Sequence, residues 1–141
     1  MPGSRVLFID DDHLVGKLVR DLLEQEGFQV TVATSGKEGL GLAQSHPPDV
    51  FLLDIMMPGM DGFAVCKAIR QDHTLHQIPV VMLTAMESQK LNERAFAAGA
   101  EVCMTKPFSP DRLLNVLNIT LQNVALKRIH SQKKKVKRKA P

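Results

Sequence analysis

Asp10, Asp11, Asp12, Asp54, Thr84 and Lys106 are the residues of this 141-residue chain whose types and placement invite chemistry. Any one of the aspartates could be a helix N-cap, and the spacing assigns Asp12 that role. Capping does not account for a lone lysine before a proline, nor for several acids brought to one crevice. Two carboxylates about 4 Å apart repel by about 4 kcal/mol at an effective dielectric near 20, so either one is protonated or a cation stands between them. Carboxylate oxygens are hard ligands that favour Mg²⁺, held by one or two carboxylates together with phosphate oxygens. A nucleophilic carboxylate, a hard cation, the point charge of Lys106 and the hydroxyl of Thr84 together suit phosphoryl transfer to a carboxylate.

The remaining reactive side chains form no comparable set. His13, His46, His73, His76 and His130 are scattered. His73 and His76 stand three apart with no further ligand beside them. Cys66 and Cys103 show neither CxxC nor zinc spacing. Serine and cysteine lack a His/Asp partner at recognisable spacing, and no glycine-rich phosphate loop or dinucleotide fingerprint occurs.

Each candidate residue closes a short apolar run. Val6 to Ile9 ends at Asp10, Val50 to Leu53 at Asp54, Val80 to Leu83 at Thr84, and Glu101 to Thr105 at Lys106, while Phe28 to Ala33 makes a further run. Continuous apolar runs of this length fit strands buried on both faces. Between them lie segments of helical period. Leu14, Val15, Leu18, Val19, Leu22 and Leu23 share one helix that Gly27 stops. Ser35-Gly36-Lys37-Glu38 has the form of a capping box, and Ser109-Pro110 opens a last helix. Five strand–helix units predict an α/β fold, a doubly wound five-stranded parallel sheet with helices on both faces. In such sheets ligands bind beyond the carboxyl ends of the strands, where these candidates fall.

Composition is that of a globular domain, 44% hydrophobic and 23% charged. No apolar run approaches the length of a bilayer span, and no secretory signal opens the chain. A reducing cytoplasm is the expected compartment. Net charge of +3 hides an asymmetry: all 15 acids lie in residues 1–126, whereas residues 127–141 carry eight Lys/Arg and none. The boundary therefore falls at 126, with 127–141 a basic tail, linker or helix extension. The tail has no aromatics for base stacking and leaves no room for a helix-turn-helix, so nucleic-acid binding is not expected of this chain. Leu114, Leu117, Leu121 and Val124 form a stripe of under three heptads that fits a last helix running past the domain, either to dimerise or to lead into an output domain.

Four motifs in this order and spacing resemble the receiver domains of bacterial response regulators, over about residues 4–126. They are Phe8-Ile9-Asp10-Asp11-Asp12, Leu52-Leu53-Asp54-Ile55-Met56-Met57-Pro58-Gly59-Met60-Asp61-Gly62, Val80-Val81-Met82-Leu83-Thr84-Ala85 and Lys106-Pro107-Phe108. The resemblance implies a flavodoxin-like sheet of order 2-1-3-4-5. It implies that Asp54 is the phosphorylated nucleophile and that Mg²⁺ is held by Asp10, Asp11, Asp54 and the backbone carbonyl of Met56. Thr84 and Lys106 would engage the phosphoryl group, with a cis bond between Lys106 and Pro107. The implied donor is a histidine kinase, a phosphotransfer protein or a small acyl phosphate. The implied output is a conformational change at the 84–106 face that controls a partner or output domain, or a homodimer through the 87–126 face. Such a protein would be a slowly self-dephosphorylating switch rather than an enzyme turning over an external substrate.

This chain departs from the family in two places. The family's usual Tyr or Phe three residues before the lysine is Cys103, so transmission is expected to rely on the Thr84 loop and the helix after it. Positions two after the acceptor Asp and two after the Thr are Met56 and Met86, which predicts a long-lived phosphorylated form. A phosphatase resembling the haloacid-dehalogenase family is the competing enzyme reading, since Asp10-Asp11-Asp12 contains an Asp-x-Asp. That family needs a further acidic pair after its lysine, and only Asp111 follows Lys106. A receiver reduced to an interaction module is opposed by the complete set of five residues.

Overall fold

The computed structural model describes residues 3–85 and 88–139, with side chains described through residue 133. Ten elements alternate along the chain: β1 (Arg5–Ile9), α1 (His13–Gln25), β2 (Gln29–Ala33), α2 (Gly36–Ser45), β3 (Val50–Asp54), α3 (Gly62–Gln71), β4 (Val80–Thr84), α4 (Gln89–Ala98), β5 (Val102–Thr105) and α5 (Pro110–Lys139). The strands form one parallel sheet in the order β2-β1-β3-β4-β5. The expected fold class and strand order both hold.

Continuous apolar strands arise because each pleat face meets a different helical layer. Leu7, Ile9, Phe51, Leu53, Val80 and Met82 point to one side, into a core with Val65 and Ile69 of α3 and Ala95 of α4. Their sequence neighbours Val6, Phe8, Val50, Leu52, Val81 and Leu83 point to the other, against Leu23 of α1 and Leu113 and Leu117 of α5. Phe8, Phe51, Leu52 and Leu53 are fully buried, each contributing roughly 1.5–3 kcal/mol by leaving water. Alternating polar substitution on any of these three strands would place a charge in one layer or the other.

Local signals fix the helix ends. Asp12 caps α1, accepting from the backbone N–H groups of Leu14 and Val15. Ser35 accepts from Glu38 N–H at 3.1 Å, but Glu38 does not return the bond as a full capping box would. Its carboxylate accepts from the Thr34 hydroxyl instead. Ser88 caps α4, which ends at Gly99 in the left-handed region, φ 109°. Ser109 accepts from Arg112 N–H, closing the first turn of α5.

The Leu114/Leu117/Leu121/Val124 stripe is not a free seam. Leu117 and Leu121 are buried and Leu114 and Val124 half-buried, because this face of α5 lies on the sheet. The dimerising coiled coil expected from that stripe is therefore corrected: the stripe is core. Helix α5 runs through residue 126 without a break, so the expected boundary lies inside one helix.

Arg70 ties the far end of the fold together. Its guanidinium donates to the carbonyls of His76, Ile78 and Gly99 and meets the Glu101 carboxylate at 3.0 Å. Glu101 in turn accepts from Val80 N–H at 2.7 Å. One side chain so links the end of α3, the loop into β4 and the turn into β5, with charge-assisted bonds in place of a tighter local core.

Candidate functional site

Parallel register brings the carboxyl ends of the central strands to one edge. Ile9 pairs with Leu53 and Asp54 with Leu83, so Asp10, Asp54 and Thr84 follow one another across β1, β3 and β4. The chain beyond each strand is tied to its neighbour: Asp10 N–H donates to Ala33 O at 3.0 Å, Ile55 N–H to Leu83 O at 2.9 Å, and Lys106 N–H to Thr84 O at 2.6 Å. These bonds extend the sheet one residue past the strands and fix the backbone from which the polar side chains depart.

Side-chain oxygens of Asp10, Asp11 and Asp54 lie within 4.8 Å of one another. Asp10 and Asp54 are buried, 1% and 5% exposed, while Asp11 is exposed and opens the cluster to solvent. The Lys106 ammonium bridges two of the acids, at 2.9 Å from Asp10 Oδ2 and 3.5 Å from Asp54 Oδ1. The Lys106–Pro107 bond is cis. Thr84 is fully buried at the end of β4. Asp12 stands apart from the cluster, its carboxylate spent on the cap of α1 and its N–H donating to Asp10 Oδ1 at 2.9 Å.

Burial pushes the Asp54 carboxyl above the usual carboxylate range; the Lys106 charge opposes this and the Asp10 charge adds to it. Burial pulls the Lys106 ammonium down, but the hydrogen bond to Asp10 and the charges of both acids outweigh it and hold the proton more firmly than usual. The pocket thus carries more negative charge than its single cation comfortably balances. Three carboxylate oxygens with no softer donor beside them form a set that would suit a hard cation such as Mg²⁺. Imidazole and thiol ligands for a softer metal are absent from the cluster.

An expected consequence is that Asp54→Asn stabilises the metal-free fold at neutral pH. Asp54 has a raised native pKa, so its ionised form disfavours folding above that pKa. The penalty fades as pH falls toward the unfolded value and the native carboxyl takes up its proton. Urea unfolding across pH 4–8 should show the variant ahead at pH 7, the gap closing on acidification and on addition of Mg²⁺ to both proteins.

Met56 follows β3 in a Pro/Gly/Met loop. Its N–H bonds to the Asp54 carboxyl, and the residue is 59% exposed. The companion position Met86 lies outside the described residues. Gly62 closes the loop: its N–H donates to Ile55 O at 2.9 Å, and Asp61 caps α3 by accepting from Ala64 N–H. Cys103 is half-buried, packed against the core shared with α3 and α4.

The sequence model of the response regulator receiver domain matches residues 6–118. The chain belongs to this family. Receiver domains are the signalling switches of two-component systems. This receiver is 41% identical over 110 residues to the DNA-binding dual master transcriptional regulator RpaA of Synechocystis, a match covering 78% of this chain and 46% of RpaA. It is 37% identical to the polar-differentiation response regulator DivK of Brucella ovis, covering 79% of this chain and 91% of DivK. Its fold superposes on the Vibrio cholerae chemotaxis protein CheY4 with a TM-score of 0.80 at 34% identity, covering 84% of this chain and 98% of CheY4. The receiver therefore spans less than half of RpaA but nearly all of DivK and CheY4. Among the described residues no helix is long and apolar enough to cross a membrane.

Proposed function

We propose that this receiver accepts a phosphoryl group on Asp54 from a phosphohistidine of a kinase or phosphotransfer protein, with Mg²⁺ bound beside it. The observation that carries the reading is the Lys106 ammonium held between Asp10 and Asp54 in a cluster of three carboxylates. Asp10, Asp11 and Asp54, with the backbone carbonyl of Met56, would hold the cation. When bound, it neutralises developing charge on the phosphoryl oxygens. An Asp54 oxygen forms the new O–P bond as the N–P bond of the donor breaks, and the leaving imidazole keeps the electron pair. Lys106 pairs with one phosphoryl oxygen, and the Thr84 hydroxyl donates to another. The acceptor's charge grows from about one negative to about two, which biases the loop after β4 and the helix that follows.

Leu14 and Leu18 support a donor-docking face. They lie one turn apart on α1, just beyond the acidic cluster, and are 67% and 61% exposed. The signal is read out by an output domain or partner, or by a homodimer through the 87–126 face. We place the protein in the cytoplasm, where kinases of this kind present their phosphohistidine and where two free thiols persist.

Beryllofluoride with Mg²⁺ tests the reading. The adduct is expected on Asp54, with chemical-shift changes at Thr84 and Lys106, and to be lost with EDTA. An adduct on Asp10 would favour the phosphatase reading instead. Met56 is apolar and offers no group to orient an attacking water. Phosphate loss after acyl-phosphate loading should quicken by about tenfold in Met56→Asn, a change of about 1.4 kcal/mol in the barrier. An unchanged rate would show that residue 56 does not govern the lifetime.

A further inference from the structure

At the opposite end of the sheet from the acids, α5 leaves the body of the protein. A cleft of about 910 Å³ opens between its underside, the 72–79 loop and the start of β5. Its lining is mixed, and the apolar part of its floor is made by Pro79, buried, Val102 and Val116, half-buried, and Ile119, 56% exposed. Its helical wall carries Lys127 and Arg128.

The charges of the cleft do not balance. Glu101 is the acid lining it, and Arg70 already neutralises that carboxylate at 3.0 Å. No acidic residue follows Asp111 anywhere in the chain. Among the described residues, neither Lys127 nor Arg128 has an acidic partner, and the helix offers them none one turn away in either direction. An apolar floor beside an uncompensated cationic wall matches an amphipathic helix with one apolar and one acidic face.

We propose that this cleft is a docking groove for an acidic amphipathic helix of a partner protein. Apolar anchors spaced at three and four residues would fill the floor over Val102, Val116 and Ile119. Carboxylates on the adjoining face would meet Lys127 and Arg128. The basic run that continues to residue 139 would draw in such a partner from a distance. A polynucleotide satisfies the cations but leaves the apolar floor uncovered. A second copy of this chain carries its acids in residues 1–126, and self-association that Lys127→Glu/Arg128→Glu abolishes would assign the groove to it and overturn the proposal. The groove is remote from the phosphate site, so the proposal stands independently of the function assigned to Asp54.

The probe is a fluorescein-labelled peptide of about five helical turns, with leucine and isoleucine at i, i+3, i+4 and i+7 and glutamate elsewhere. Binding to the full chain is read by fluorescence anisotropy at low and high salt. A scrambled peptide of equal composition and a short DNA duplex serve as competitors. The amphipathic peptide is expected to bind, and to bind at least about tenfold tighter than the scrambled one. The double variant Lys127→Glu/Arg128→Glu and the single variant Ile119→Asp should each weaken it by about tenfold. Both alter exposed positions, so the circular-dichroism melt of each should match that of the parent chain, which confirms folding. Equal affinity for the scrambled peptide, tighter binding of DNA, insensitivity to Ile119→Asp, or no binding of the peptide would each overturn the proposal.

Discussion

Asp54→Ala is expected to abolish phosphate uptake from a small acyl phosphate, and Lys106→Ala to lower it by about 10²- to 10³-fold. The first follows because no oxygen remains at that position to form the bond to phosphorus. The buried neighbour Asp10 does not substitute, since its Oδ2 is engaged by Lys106 and its Oδ1 by Asp12 N–H. The second is an electrostatic effect. An ammonium positioned before reaction in a partly buried pocket costs nothing to reorganise, and losing one such group typically costs about 2.7–4 kcal/mol of barrier. Its loss also leaves the acids to repel one another unrelieved, so Lys106→Ala should need more Mg²⁺ for half-maximal uptake. Radiolabel incorporation at several Mg²⁺ concentrations separates the two contributions. Retention of label by Asp54→Ala would move the acceptor to another residue.

Gly62→Ala is the substitution expected to damage fold and site together. A Cβ there would stand 2.6 Å from Asp54 O and 2.7 Å from Ile55 Cα. Both are backbone atoms that no rotamer change can move, so the loop carrying Met56 must lift from the end of β3. Overpacking of this kind costs about 3 kcal/mol, which lowers Tm by roughly 10 °C in a domain of this size. Because the displaced backbone is that of Asp54, the proposed acceptor, phosphate uptake should fall even where the variant is fully folded. Gly41→Ala is the control. Nothing lies within 4 Å of its added Cβ, and it sits exposed in α2, so it should be neutral or stabilise by about 0.5–1 kcal/mol. Thermal melts with and without Mg²⁺, beside labelling at 10 °C, distinguish these outcomes.

The site was legible because its geometry is written in local pattern. An apolar run long enough for one strand, followed at once by Asp, Thr or Lys, marks a strand end whatever the surrounding helices do. Parallel packing then brings those ends together, which is how Asp10, Asp54 and Lys106 meet although 96 residues separate the outer two. The N-cap role of Asp12 was legible for the same reason. What escaped the sequence depends on distant partners. Arg70 reads as a solvated charge at the end of a helix, yet it bonds carbonyls up to 29 residues away. The Leu114 to Val124 stripe was misread because helical periodicity gives an apolar face but not what covers it. In the folded chain its own sheet does. The extent of α5 was legible only as one of three readings of residues 127–141, tail, linker or helix extension, since the amphipathic signal fades beyond Val124 and a run of cations carries no period of its own.

That length has a mechanical consequence. At 1.5 Å per residue, the part of α5 beyond Leu121 reaches about 27 Å from its last buried anchor. It is a lever arm whose fulcrum is the sheet beside β4 and β5. A tilt of about 10° at that fulcrum, too small to disturb the packing of Leu113 and Leu117 greatly, would swing the far end by about 5 Å. Small adjustments beside the acidic pocket could thus be amplified into a displacement large enough for another molecule to sense.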